Sequence, residues 1–154
     1  MTRIVDEDDF ARVVRLAPLV SIDLIIRDPN QNALVGLRTN EPAKGFYFVP
    51  GGRIWKDETI ETAFARILQA ETGCRALLQD AQFRGVFQHF YPSNRYGLAG
   101  FGTHYVVLAY ELRLDYRPTI ILYLDGQHSE HRWMSEAELK AASDVHDNTK
   151  IFFR

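Results

Sequence analysis

A carboxylate at the end of an apolar helical stripe is the first feature of this sequence that could do chemistry. In "IETAFARILQAETG" the residues Ile60, Phe64, Ile67 and Glu71 follow steps of four, three and four, which return them to nearly one azimuth of an α-helix. Three apolar members predict a core-facing stripe, and Glu71 is carried inward with them. It falls just before Gly73, the expected helix stop, where the macrodipole disfavours an anion. Upstream stands "PGGRIWKDE". Two glycines let a backbone approach a ligand closely, Arg53 follows them, and the acids suit a helix N-terminus. A loop–helix unit with Gly-Gly-Arg at one end and an inward acid at the other could hold a phosphate and a metal. Hard cations such as Mg²⁺ take oxygen ligands, and one or two carboxylates plus phosphate oxygens usually suffice.

The elements that must position these groups can be read in order. An acidic cluster, Asp6 to Asp9, precedes "FARVVRLAP", expected as a short helix ending before Pro18. "LVSIDLIIR" is rich in β-branched residues and reads as a strand. "DPNQNA" is turn chemistry, so "LVGLR" is expected as the second arm of a hairpin. A loop follows, with a short extended piece at Phe46 to Val49, and then the helix from about Thr59 to Thr72. "AQFRGVFQHFY" and "THYVVLAYELRL" predict two long strands around a glycine-rich loop, Pro92 to Gly102. "EHRWMS" reads as a last short strand. Ser135 three residues before Glu138 is a capping-box spacing that opens a helix, and "DNTKIFFR" is expected to be helical. Mixed sheet plus helices in one domain, spanning 1–154, gives an α+β or α/β class.

Composition narrows the partners. At 154 residues, 46% hydrophobic and 25% charged, the chain suits one soluble globular domain. A net charge of −2 gives no basic field for nucleic acid. One cysteine, Cys74, excludes an internal disulfide and reads as a small core residue. No apolar run predicts a signal core or membrane span, so the expected location is the cytoplasm, with no membrane partner.

The stretch "GGRIWKDETIETAFARILQAETGC", residues 52–74 with the preceding glycine, resembles a Nudix box: Gly, five residues, Glu, seven residues, then Arg-Glu-apolar-x-Glu-Glu-x-Gly-apolar. Gly52, Glu58, Arg66, Leu68, Glu71, Gly73 and Cys74 match. The element order resembles the Nudix α/β/α sandwich with its mixed sheet over nearly the whole chain. Two positions depart from the pattern: Ile67 stands where a Glu follows the Arg, and Ala70 replaces the first of the Glu-Glu pair. The resemblance implies several carboxylates that hold metals and help activate water for attack on phosphorus. This box keeps one of the three.

A box degenerate in this way is similar to that of the GDP-mannose mannosyl hydrolases, as are "SIDLIIRD", "LVGLRTNEPAKGFYFVPGGR", "FRGVFQHFY", "THYVVLAYELR" and "GQHSEHRWMS". That branch cleaves a GDP-hexose at the anomeric carbon with inversion, using one Mg²⁺, for which Mn²⁺ is an expected substitute. Carried over by matching position, the Gly51 carbonyl, Glu71 and Gln127 would bind metal and His128 would be the base. Arg38 and Arg53 would hold the diphosphate, with Tyr105 beside them. Ile4, Val5 and Phe10 would belong to an N-terminal segment, residues 1–17, at the nucleotide pocket and the interface of a homodimer. The chemistry agrees. Attack at carbon needs a base near pH 7, and His is poised there. A metal-bound diphosphate flanked by guanidiniums is already a competent leaving group, so the acid of ordinary glycosidases can be dispensed with.

Asp23 lies within an apolar strand on the face of Ser21 and Ile25. It is either a solvent-facing acid on an edge strand or, as preferred here, a group that orients His128. Arg66, at the side of the helix stripe, is expected to orient Glu71 or Glu58. His89 and His104 read as structural or functional with equal weight, and His131 and His146 as surface residues. Two other functions compete with GDP-hexose hydrolysis. A Nudix pyrophosphatase attacking phosphorus is disfavoured by Ile67 and Ala70. A nucleotide-sugar sensor is disfavoured by the joint presence of Glu71, Gln127 and His128.

Overall fold

A computed structural model describes residues 6–120 and 128–154. The chain opens with helix α1 (Glu7–Leu16), whose N-cap Asp6 accepts from the Asp9 amide at 3.0 Å. Strand β1 (Leu19–Arg27) has the bounds that its β-branched run predicts, and it is buried on both faces. That two-sided burial fixes the architecture, because each face needs its own cover. Ile22, Leu24 and Ile26 pack with Ala63, Phe64, Ile67 and Leu68 of helix α2 (Ile60–Thr72). Ile25 on the other face packs with Leu139, Phe152 and Phe153 from the C-terminal helices and with Val145 between them. These are α3 (Glu136–Ala141), α4 (Asp147–Lys150) and a closing 3-10 turn, Ile151–Phe153. Ser135 and Glu138 form the expected capping box of α3. The result is the anticipated single-domain α+β sandwich with a mixed sheet.

The sheet differs from a simple hairpin start. β1 meets β2 (Ala33–Arg38) only at Arg27 opposite Ala33. Beyond that point β2 turns to β3 (Tyr47–Phe48) and to β7 (His128–Met134). β1 instead takes β4 (Gly51–Arg53) as an antiparallel partner at Ser21–Asp23 and β6 (Thr103–Arg113) as a parallel partner along its full length. β5 (Gln82–Tyr91) pairs antiparallel with β6 and stands at the sheet edge. The turn between β1 and β2 is closed by Asp28, buried to 1% exposure, which accepts from the amides of Asn30 and Asn32 at 2.9 Å each. Arg117 pairs with the same carboxylate at 2.6 Å, so Asp28 keeps a pKa below the usual carboxylate range despite its burial.

Helix α2 begins at its N-cap Thr59 and stops at Gly73, whose φ of 76° and amide bond to the Gln69 carbonyl make a left-handed cap. Phe64, Ile67 and Glu71 are buried as the stripe predicts. Ile60 is not: the first turn of α2, Ile60 to Thr62, is exposed, and this side chain is 38% exposed.

Candidate active site

The site is built on β4. Its two glycines face opposite ways. A Cβ on Gly51 would collide with the Asp23 carboxylate and lie 2.8 Å from the Ile22 carbonyl, whereas a Cβ on Gly52 would lie 3.2 Å from Ile67 of α2. The main chain of β4 is therefore a bare wall between the helix and a cleft of about 220 Å³. Phe10, Asp23, Arg38, Gly51, Arg53 and Tyr105 all line that cleft, although they come from five separate elements. Ile4, Val5 and Gln127 lie outside the described residues. His128 opens β7, its backbone opposite Arg38 of β2. It belongs to a strand that starts two residues earlier than "EHRWMS" suggests, not to a loop.

Each cleft group has a physical setting. Arg38 ends β2 and its guanidinium stands 5.3 Å from the Phe48 ring centroid. Arg53 ends β4 and stands 4.4 Å from the centroid of Phe10. Asp23 is on a central strand, which removes the edge-strand alternative. Its side chain is half-buried at the cleft floor, and burial raises its pKa from 3.8 to about 7, while nearby Arg38 pulls the other way. The Tyr105 phenol is raised above its ordinary 10 by burial, so it stays protonated and can donate across the working pH range.

Glu71 is 5% exposed and sits one turn beyond Ile67 on the buried side of α2; it is not part of the cleft wall. Glu58 has a different task. It takes Arg66 at 2.7 Å and accepts from the Trp55 amide at 3.0 Å, and Arg66 also donates to the Arg53 carbonyl at 2.9 Å. The Arg66 guanidinium lies 3.7 Å from the Trp55 ring centroid. Of the two partners expected for Arg66, the structure thus gives it Glu58, and the pair braces the β4–α2 loop. Among the described residues no group of three or more His, Cys, Asp or Glu side chains converges on a point. The donors proposed for a metal, the buried Glu71 carboxylate and the Gly51 main-chain carbonyl, are hard oxygens that suit Mg²⁺.

Several features were not legible beforehand. His146 is no surface residue: it caps α4 by accepting from the Asn148 amide at 3.0 Å and stacks on Phe48 with centroids 4.8 Å apart. His131, also read as a surface residue, is only half-exposed. His89 lines the cleft at 3% exposure, its Nε2 without a hydrogen-bond partner, and burial lowers its pKa from 6.5 to about 4. His104 instead stacks on Phe90, with centroids 4.4 Å apart. The loop from Pro92 to Gly102 also supplies Arg95 to the cleft.

Comparison with known proteins agrees with this architecture. The family model described as the NUDIX domain matches residues 17–154. The low-salt glycan biosynthesis protein Agl8 of Haloferax volcanii is 39% identical over 130 residues, which is 84% of this chain and 78% of that protein. The crystal structure of the MutT NUDIX hydrolase from Burkholderia pseudomallei superposes with a TM-score of 0.69 at 23% identity, covering 88% of this chain and 95% of that one. The NUDIX domain of Shewanella oneidensis NrtR, complexed with ADP ribose, gives 0.64 at 18% identity over 96% and 95%. The two structural likenesses carry the fold.

Proposed function

The chain belongs to the NUDIX family, and from that premise we propose that this Nudix hydrolase converts GDP-mannose or GDP-glucose to GDP and free hexose by substitution at the anomeric carbon with inversion. The observation that carries this reading is what has happened to the box helix. Ile67, at 2% exposure against Gly52, is a core residue, and Ala70 is exposed, so α2 offers the cleft no bank of acids for attack on phosphorus. The cleft offers instead the guanidiniums of Arg38, Arg53 and Arg95, a phenol and a carboxyl whose pKa burial raises. That set suits a departing diphosphate. The name of the glycan biosynthesis relative fits a substrate that carries an activated sugar.

Nudix hydrolases generally use a divalent metal. Here the Gly51 carbonyl, Glu71 and Gln127 would hold Mg²⁺, which when bound offsets charge on the diphosphate as it leaves. Arg38 and Arg53 bind the diphosphate oxygens, and their attraction grows as the sugar–oxygen bond breaks. Tyr105 donates one more hydrogen bond to the same oxygens. His128, whose backbone is paired with that of Arg38, takes the proton from attacking water. Asp23 stands beside Arg38 and orients this base.

The reaction is tested in oxygen-18 water with purified protein, Mg²⁺ and a panel of nucleotide sugars. The label is expected in the sugar, with unlabelled GDP and the inverted anomer in fresh product. GMP with hexose 1-phosphate would install the pyrophosphatase instead, and no turnover of any candidate would install the sensor. His128→Gln is expected to lower kcat by roughly 10² to 10⁴ with a smaller effect on binding.

A further inference from the structure

We propose that Arg95 is a third anion-binding residue of the cleft, seated by a pre-formed loop to pair with the diphosphate of the substrate. The inference rests on the reading above only in requiring a diphosphate ligand; it does not depend on which bond is cleaved. Arg95 has no place in the Nudix box and lies on the segment between β5 and β6.

The loop is tied down by one side chain. Asn94 is fully buried. Its amide nitrogen donates to the carbonyls of Leu98 at 2.9 Å and Phe101 at 3.0 Å, and its oxygen accepts from the amides of Tyr96 at 3.1 Å and Leu98 at 3.2 Å. Both donors and both lone pairs are thereby used. Thr103 ties the return leg by donating to the Ser93 carbonyl at 2.8 Å. Gly102 lies so close to β5 that a Cβ there would collide with the Tyr91 carbonyl. A segment rich in glycine is thus held in one shape, and little ordering cost is left for binding.

The residue after the clamp is Arg95. Its guanidinium stands 5.5 Å from the Tyr96 centroid and 5.7 Å from that of Phe10, and it lines the cleft. Phe10 and Tyr96 meet edge to face at 6.3 Å, which joins α1 to the loop. Contact with ring faces satisfies none of the five N–H donors of an arginine. Among the described residues Arg95 makes no ion pair. Arg53 lies over the same Phe10 ring. Two guanidiniums at one ring repel each other, and an anion between them reverses the sign of that interaction. With Arg38, three guanidiniums line the cleft against two carboxyls, Asp23 and Glu41, among the described residues. Glu41 accepts from the Ser93 hydroxyl at 3.0 Å. The excess positive charge and the forked donor geometry fit a polyanion with oxygens on adjacent phosphorus atoms.

Inorganic pyrophosphate, which carries the diphosphate without sugar or base, is the probe. It is titrated into the protein with Mg²⁺ by calorimetry. Arg95→Ala and Arg95→Gln are each expected to weaken binding roughly 10- to 100-fold, the usual worth of a charge-assisted hydrogen bond. Arg95→Lys should recover part of the loss. Arg84→Ala, exposed on β5 and outside the cleft lining, should match the wild type, which controls for net charge. Added salt should weaken pyrophosphate binding more steeply in the wild type than in Arg95→Ala. Because Arg95 is exposed, the thermal midpoint is expected to stay put. Unchanged affinity in a folded Arg95→Ala protein, or a wild type that does not bind pyrophosphate, overturns the proposal. A protein that shows this Arg95 dependence yet releases GMP would refute the proposed reaction and uphold the role of Arg95.

Discussion

Asp23 should make the metal-free protein less stable as pH rises, an unusual direction for a carboxylate. Its folded pKa of about 7 exceeds the unfolded value of 3.8. Below pH 3.8 both states hold the proton. Between 3.8 and 7 the unfolded chain releases it while the folded chain keeps it, so stability falls as pH increases. Above 7 the loss is complete. Three pH units at about 1.4 kcal/mol each give a penalty of about 4 kcal/mol at pH 8. Asp23→Asn removes the charge and keeps the shape. Urea unfolding in EDTA should find the variant close to the wild type at pH 4 and about 3–4 kcal/mol more stable at pH 8, while its turnover with Mg²⁺ collapses. Comparing the two proteins at each pH cancels every other titrating group. A difference that stays constant from pH 4 to pH 8 would show that the Asp23 carboxyl is not desolvated, and the description of the cleft floor would fail with it. The expected pattern is stability surrendered at a site whose groups are held for reaction.

Other perturbations discriminate between the roles assigned to neighbouring residues. His89 titrates the opposite way: with a folded pKa of about 4 against 6.5 unfolded, its contribution is intact above pH 6.5 and is lost as pH falls toward 4. Urea unfolding should show that part of the acid limb missing from His89→Gln. Restoring a box acid by Ile67→Glu should cost about 3–5 kcal/mol in urea unfolding, because a packed apolar side chain is exchanged for a buried carboxylate. Product analysis should still find GDP rather than GMP; a stable variant that yields GMP would contradict the packing assigned to Ile67. Glu71→Gln should raise the Mg²⁺ concentration needed for turnover by at least about tenfold. Glu58→Gln should instead lower stability by about 1–3 kcal/mol through the loss of the Arg66 pair, leaving the Mg²⁺ titration in place. Equal Mg²⁺ effects would merge the two roles.

The elements with strong periodicity were legible in the residues. The bounds of β1, the cap-to-cap span of α2, the capping box at Ser135 and the inward turn of Glu71 all follow from local pattern. β4 did not, because Gly-Gly-Arg carries no strand propensity; only its pairing with Ser21–Asp23 makes it a strand. The hairpin expected of β1 and β2 shrank to one residue pair because β1 gains more from β4 and β6. His146 looked like surface because its partners, Phe48 and Tyr91, are distant in sequence. The cleft arginines were found by family pattern, and Arg95 was missed because it lies outside that pattern. The run of turn-forming residues at Ser93–Gly97 held the only local hint, an Asn able to bond to its own loop.

The parallel pairing of β1 with β6 also sets an order of assembly. Leu19 faces Tyr105 and Arg27 faces Arg113, so β1 waits for a partner 86 residues further along the chain. In the interval Ile22, Leu24 and Ile25 have apolar surface to hide and no permanent neighbour along that edge. The β1–β4 half of the cleft can form early, but Tyr105 joins it only when the long connection closes. A chain cut short before β6 is therefore expected to emerge as an aggregating fragment rather than as a weak enzyme. The cleft is completed in one step, when β6 takes its place beside β1.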